Sequence, residues 1–413
     1  MLRKHINAIL LIIIVLVCFV LGEILIRFLG NYEVDRNFEF RGRRLKPYHL
    51  PVKRIESKLN NYLSSSNSLA IYDSILGWFP RPNRRGKLYN YNSLGIRSFP
   101  TEYSMFPSKD KLRICIFGNS FTHGDEVVFE NTWGYYLEQN LKERGINSEV
   151  INFGVWGYGI DQAFLRWREL GYKFSPDIVI LGFQGENLKR NMNIFRAIYM
   201  KNTGMPFSKP RFILNGDSLE LVNCPTVPIP KIIDIVKNFK NWKLSQHEYF
   251  FKPQNYHNII WMRSRLISFI KSVIELNRFN HKKVEMDFYA LDKDLSRITL
   301  KIIQKFKTSV TDQGGQFFVL HLPKRNDLSD LLNNRQLVYA DLLSEIAKSH
   351  NAIFPEFKII EEAKKASLDS LFVVNHYSGI ANKIVGGVIT EYMLGNDLIF
   401  NLKKPDGMRF VQR

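Results

Sequence analysis

The sequence predicts an α/β protein in three layers, a parallel sheet with helices on both faces. Three observations predict it. Short apolar runs closed by turn residues recur at 112–118 (LRICIFG), 148–154 (SEVINFG), 176–183 (PDIVILGF) and 316–323 (QFFVLHLP). Stretches with apolar residues at helical spacing alternate with them, at 132–145, 161–174 and 291–315. The runs are apolar at consecutive positions, the pattern of strands covered on both sides. Strands that alternate with helices make parallel crossovers.

Each element has its own local signal. Thr132 is a cap for the first helix and Gly145 its stop. The alternation lapses after the third strand, and 192–285 reads as a long aromatic insertion, expected to cap the strand ends or else to bind a partner. Within it 211–223 is a hairpin turned by Asn215-Gly216. A helix over 330–349, a short strand at 353–357 and a last helix over 378–394 complete the pattern. Upstream, 31–107 is polar, basic and rich in turn residues. Its portion 76–99 (LGWFPRPNRRGKLYNYNSLGIRSF) reads as irregular structure or short strands laid against the domain. The expected organisation is an N-terminal anchor at 1–30, a juxtamembrane segment at 31–107, the main α/β domain at 108–400 with the insertion 192–285, and a basic tail at 401–413.

The N-terminus carries the anchor. A short basic head is followed by an unbroken apolar run over 8–22, extended by Ile24, Leu25, Ile26, Phe28 and Leu29. About twenty such residues span a bilayer as a helix. Glu23 and Arg27 are four apart and can pair near the interface. No small-residue cleavage site follows, so a signal anchor is expected rather than a removed signal peptide. Arg3 and Lys4 favour a cytoplasmic N-terminus and an extracytoplasmic body; a cytoplasmic body is the alternative.

Composition narrows the class. With 45% hydrophobic and 13% aromatic residues, the chain can bury a large core and is not disordered. The net charge of +19 is spread along the chain and points to an anionic neighbour, such as lipid or acidic polysaccharide. No zinc-finger spacing or aromatic RNA-binding signature is present, so nucleic acid is not an expected partner. Cys18, Cys115 and Cys224 read as free thiols. No cofactor or metal is expected, and the sequence leaves the oligomeric state open.

Chemistry concentrates at the strand ends. In open α/β sheets, ligands bind beyond the carboxyl ends of the strands, where the strand order switches. In a flavodoxin-like order that crevice lies between the first and third strands. Asn119-Ser120 follow the first strand, and Gly185-Glu186-Asn187 follow the third. The second ends in NFGVWGYG, whose glycines let backbone approach a ligand. Acyl transfer needs a nucleophile, a base and donors aimed at an oxyanion. Of nine histidines, His376 is the candidate base, in a loop before the last helix. His321, at the end of the fourth strand, is a rival.

These blocks resemble the SGNH (GDSL-like) hydrolase family. FGNSFTHGDEV resembles its first block and implies Ser120 as nucleophile. NFGVWGYGIDQ resembles the second and implies Gly157 as an oxyanion donor; GEN at 185–187 resembles the third and implies Asn187 as another, beside the Ser120 N–H. NHYSGIAN resembles the fifth and implies His376 as base. LGWFPRPN, NSLGIR and Thr132-Trp133 resemble the membrane-anchored bacterial members.

Three positions depart from the family pattern. Asn119 stands where the family has aspartate, and Leu188 follows Asn187 in place of another. Val373 occupies the position of the carboxylate three residues before the histidine, so His376 is left to a backbone carbonyl, to Asp369 or to no partner. A Ser–His dyad and an inactive enzyme are both compatible with that.

Other polar residues have plainer readings. His123 is expected at the surface or behind the site. Asp125 and Glu126 are expected as solvated or helix-terminal charges. Asn119, Arg190 and Asn191 are expected to line the substrate crevice. The expected function is a membrane-anchored serine esterase or O-acyltransferase acting on an ester-bearing envelope glycan or lipid. The alternative is a non-catalytic glycan-binding or scaffold protein that keeps the fold.

Overall fold

The computed structural model describes residues 2–99, 101–257, 259–278, 286–396 and 398. The expected basic tail at 401–413 and the part of the insertion at 279–285 lie outside the described residues. The chain divides into two compact units. One comprises Met1–Ser65, Phe195–Phe207 and Pro228–Asp287; the other comprises Ser66–Ile194, Ser208–Val227 and Phe288–Arg413.

The second unit holds the parallel sheet. Its strands are β1 (Leu112–Phe117), β2 (Ser148–Asn152), β3 (Ile178–Phe183), β4 (Gln316–His321) and β5 (Asn351–Ile353). The spatial order is β5-β4-β3-β1-β2 with every neighbouring pair parallel, the flavodoxin-like order, and it switches between β1 and β3. All six residues of β1 and of β3 are buried, as consecutive apolar runs on a doubly covered sheet require.

The two faces are filled differently. On one, Trp133, Leu137 and Leu141 of the helix Trp133–Glu143 meet Val385 and Ile389 of the helix Gly379–Gly395, with Ile114, Ile116, Ile178 and Ile180 beneath. Gly386 allows that crossing, because a Cβ there would stand 2.7 Å from the Cβ of Tyr136. The other face is aromatic. Phe117 stacks on Phe153 at 4.8 Å and meets Trp167 of the helix Ile160–Glu169 and Phe306 of the helix Asp294–Thr311 edge-on.

Some boundaries differ from expectation for local reasons. The expected helix over 330–349 is two helices, Arg325–Leu332 and Ala340–Ser349, parted where Asn334 takes a positive φ of 54°. The expected strand at 353–357 ends at Ile353, because Pro355 opens a further helix, Glu356–Lys365. The expected hairpin forms as Arg211–Asn215 and Ser218–Val222, with Gly216 at φ 56°.

The first unit contains the apolar N-terminal helix, Leu2–Leu29, whose span His5–Leu29 is long and apolar enough to cross a membrane, with a mean hydropathy of 3.3. A small antiparallel sheet at 31–45 follows, then the helix Val52–Ser64, in a stretch read from the sequence only as polar, basic and rich in turn residues. Ile26, Phe38, Phe40 and Leu45 form this unit's core with Leu266 and Phe269. Glu23 pairs with Arg27 at 2.7 Å, as their spacing implies. It also accepts the Ser264 hydroxyl at 2.8 Å and the N–H groups of Arg265 and Leu266 at 3.0 and 2.8 Å, which caps the helix Arg265–Arg278.

Candidate active site

The site is built at the carboxyl end of β1. Gly118 follows with φ 155°, and a Cβ there would lie 2.3 Å from the Thr122 hydroxyl oxygen, so only glycine makes this turn. One helical turn, Ser120–His123, then opens. Its cap is Asn119, whose Oδ1 accepts the Phe121 N–H at 2.9 Å while its Nδ2 donates to Gln184 Oε1 at 2.8 Å. Asn119 is fully buried and occupied by those bonds, so it supports the turn rather than lining a crevice as expected. Ser120 has no capping duty to perform. It sits 6% exposed at the first helical position, and Gly124, at φ 78°, ends the turn by donating to the Ser120 carbonyl at 2.8 Å.

The segment after β2 is stitched to this turn. The Val155 N–H donates to the Gly118 carbonyl at 3.1 Å, and Asn152 Nδ2 donates to the Thr122 carbonyl at 2.8 Å. Gly157 follows in the left-handed region at φ 79°. After β3, Asn187 Oδ1 accepts the Gln184 N–H at 2.7 Å and Nδ2 donates to the Tyr158 carbonyl at 3.2 Å. Arg190, 7% exposed, donates from Nη1 to that same carbonyl at 3.1 Å. The expectation that Asn191 faces substrate is corrected. It is fully buried, its Oδ1 accepts the Ile160 N–H at 2.9 Å, and its Nδ2 donates to the Thr299 hydroxyl at 2.9 Å, fastening two helices together.

His376 is brought to the serine turn by a short hairpin in which Val373 pairs with His376 and Phe372 with Tyr377. The Tyr377 hydroxyl donates to the Pro323 carbonyl at 2.7 Å, and Asn382 Nδ2 donates to the Tyr377 carbonyl at 3.0 Å. The His376 ring stands 5.0 Å from the ring of Phe121, the neighbour of Ser120.

The carboxylate beside His376 comes from Glu126, not from position 373. Its Oε1 lies 2.9 Å from His376 Nδ1, and its Oε2 accepts the N–H groups of Asn375 and His376 at 3.0 and 3.1 Å. The contact at Nδ1 is close in distance but off the N–H axis, as in many catalytic pairs before a ligand binds. Glu126 is held in a left-handed conformation, φ 72°, which costs a non-glycine residue energy and fixes the direction of its side chain. Asp369, one of the partners the sequence allowed, pairs with Arg325 instead. Val373 is 39% exposed.

Behind the turn lies a buried polar cluster. His123, expected at the surface or behind the site, lies behind it with no exposure at all. Burial, and then the nearby Arg97 guanidinium, push its imidazole down to about 4, so it is neutral at ordinary pH. Neutral His123 can donate from Nδ1 to Asp125, at 2.5 Å, and accept the Tyr91 hydroxyl at Nε2, at 2.9 Å. Asp125 thus spans the two histidines, with its other oxygen 4.0 Å from His376 Nε2. Burial raises the Asp125 carboxyl, but His123, His376 and Arg97 outweigh it and hold it below the usual range. Arg97 ties the loop down by donating to the carbonyls of His123, Gly124 and Val127.

The carboxylates at 125 and 126 are therefore part-buried and engaged with the two histidines rather than free solvated charges. The available signal was their place just past the glycine that ends the serine turn. His321 is not beside Ser120. It is buried in a separate network with Glu356 at 3.1 Å and Tyr339 at 3.3 Å.

No protein-family model matches the chain, and no curated protein matches it. Solved structures do. A putative lipolytic protein of the G-D-S-L family from Desulfitobacterium hafniense is 12% identical, with TM-score 0.34, over 68% of this chain and 98% of that one. A G-D-S-L lipolytic protein from Veillonella parvula is 10% identical, with TM-score 0.36, over 68% and 98%. An acetyl xylan esterase variant from Geobacillus stearothermophilus is 11% identical, with TM-score 0.36, over 71% and 96%. Likeness of that degree carries no argument about chemistry. The chain's own parallel sheet, ordered β5-β4-β3-β1-β2 between two helical layers, makes it a three-layer α/β/α fold of flavodoxin-like order with an apolar helix at its N-terminus.

Proposed function

We propose that the chain is a membrane-anchored SGNH-type serine hydrolase or O-acyltransferase acting on ester bonds. The observation that carries this reading is Glu126 Oε1 at 2.9 Å from His376 Nδ1, on the loop that follows Ser120. The non-catalytic reading rests on the missing carboxylate at 373, and Glu126 beside His376 supports the catalytic one instead.

The chemistry follows from the groups in place. The Ser120 hydroxyl attacks the ester carbonyl carbon as His376 Nε2 takes its proton. Glu126 accepts from Nδ1–H, fixes the tautomer and stabilises the cation formed. The Ser120 N–H, the Gly157 N–H and Asn187 Nδ2 hold the negative oxygen of the tetrahedral intermediate. Its collapse breaks the carbon–oxygen bond of the ester, and His376 returns the proton to the departing alcohol. Water then attacks the acyl-serine with His376 as base again, releasing the acid. A second alcohol in place of water would make the same steps a transfer. The helix Leu2–Leu29 would hold an extracytoplasmic body at the envelope, so acylated envelope glycans or lipid-like esters are the substrates considered.

The test is labelling of the full chain in detergent with a fluorophosphonate, with Ser120→Ala as control. Ser120-dependent labelling with turnover of short acyl esters is the expected result. No labelling and no turnover would remove the enzyme reading and leave the binding or scaffold reading.

A further inference from the structure

Arg190 is a buried cation with no anion beside it among the described residues. Its side chain has a single hydrogen-bond partner among the described residues, the Tyr158 carbonyl, and Nε is buried with no acceptor. No carboxylate lies within 4.0 Å of it among the described residues, whereas buried Arg113 is paired with Glu149 at 2.7 Å. The acidic groups of the same region are engaged elsewhere. Asp161 is held by Lys209, and Glu186, one turn before Arg190, faces Lys324 at 3.7 Å. A desolvated charge left unpaired is costly, and an anion on a ligand is one way to complete it.

Its position says which ligand. Arg190 Nη1 and the oxyanion candidate Asn187 Nδ2 both lie within 3.2 Å of one carbonyl oxygen, so a group bound to Arg190 sits beside the reacting carbonyl. The same segment holds a second buried donor without an acceptor, Gln184 Nε2. Two donors that lack acceptors call for an oxygen-rich, acceptor-only group, and the guanidinium fork matches carboxylate or phosphate. The chain's net charge of +19 favours the approach of such substrates.

We propose that Arg190 is a receptor for an anionic oxygen group, a carboxylate or a phosphate, on the alcohol side of the scissile ester, so that the substrate is an acidic ester. This rests on the catalytic reading above. Arg190 is a specificity-determining residue in it, and the leaving alcohol keeps its charge throughout.

The test compares three acetyl esters of one sugar frame with full-chain protein in detergent: O-acetyl glucose, O-acetyl glucuronate and O-acetyl glucose 6-phosphate. Acetate release gives kcat and KM for each. The wild type is expected to prefer one or both anionic esters by about 10–100-fold in kcat/KM, the range of a charge-assisted bidentate contact. The preferred anion identifies the source. In Arg190→Gln the ratio of anionic to neutral kcat/KM falls to about one, and Arg190→Lys keeps part of it. No preference in the wild type overturns the proposal without any variant. An equal loss on all three esters in Arg190→Gln also overturns it, since Arg190 would then serve the reaction or the fold. Failure of the catalytic reading is seen separately, as absence of Ser120-dependent fluorophosphonate labelling. Calorimetry of Ser120→Ala with free glucuronate, glucose 6-phosphate and glucose then still decides the receptor, with no difference among the three counting against it.

Discussion

Glu126 and His376 are 250 residues apart in the chain and share two contacts in the fold, one through the imidazole Nδ1 and one through the His376 N–H, and the Asn375 N–H donates to the same carboxylate. The carboxylate holds the histidine's backbone as well as its ring. Its own direction is set by the left-handed backbone at 126 and by the Glu126 N–H, which donates to the Tyr89 hydroxyl at 2.8 Å. A surface charge would need none of this.

Replacing that carboxylate should therefore cost rate. Glu126→Gln is expected to lower kcat by about 10²–10⁴-fold with little change in KM, the cost of losing the group that orients and stabilises the imidazolium. Val373 pairs directly with His376 in the hairpin, so its side chain is on the same face and about 5 Å away at Cβ. Val373→Asp in the Glu126→Gln background should then recover part of the rate. Full activity in Glu126→Gln would show that His376 needs no carboxylate.

Asn119 and Gln184 predict a second pair of outcomes. Asn119→Ala removes the cap acceptor and the partner of Gln184, and should cost about 1–2 kcal/mol. Asn119→Asp keeps the cap oxygen. If the Gln184 amide turns over, its unpartnered Nε2 donates to the new carboxylate. That variant should melt within about a degree of the wild type or above it. A loss as large as that in Asn119→Ala would mean that Gln184 cannot turn.

These residues also show what the sequence made legible. Nearly unbroken apolar runs give away β1 and β3 because burial on both faces leaves little room for polar residues, Arg113 with its Glu149 partner being the exception. Asn119, Ser120 and Asn187 follow those strands directly, so locating the strands locates them. The partner of His376 was illegible for the opposite reason. Its contact spans the whole sheet domain and depends on a positive φ at a non-glycine residue, which no periodicity reports. The sequence left His123 with two readings, surface or behind the site, and only the packing of Tyr91 and Arg97 around it decides between them. The helix Val52–Ser64 was hidden by turn-rich neighbours, although its buried Ile55 and Leu59 are a helical pair.

The buried His123 predicts an acid-sensitive site. Its imidazole is held at about 4 in the fold, against an ordinary 6.5 in the unfolded chain. Between those values the unfolded chain binds a proton that the folded chain does not. The contribution is thus complete above pH 6.5, is lost progressively as pH falls towards 4, and loses nothing further below that. Its size is on the order of 3 kcal/mol. Asp125, held below its usual range, adds a loss only at lower pH, as the folded carboxylate protonates. Urea midpoints between pH 4 and 8 should fall with acid in the wild type and flatten in His123→Gln. Parallel curves for the two proteins would place the titration elsewhere.

The last prediction concerns the end of the apolar helix. Glu23 is one carboxylate with four donors: Arg27, the Ser264 hydroxyl, and the N–H groups of Arg265 and Leu266. The last two are orphan donors of the first turn of the helix Arg265–Arg278, which has no intrahelical acceptor for them. A distant carboxylate is thus acting as a helix cap, and its charge also favours that end of the helix dipole. Glu23→Ala should release the first turn without disturbing the sheet domain. In detergent, amide hydrogen exchange at Leu266 and Ile267 should speed up by about 3–30-fold, corresponding to the usual worth of a cap. Glu23→Gln keeps an acceptor oxygen and should give a smaller change. Exchange that is unaltered in Glu23→Ala would mean that Ser264 alone caps the helix, through the bond its hydroxyl accepts from the Ile267 N–H at 3.1 Å.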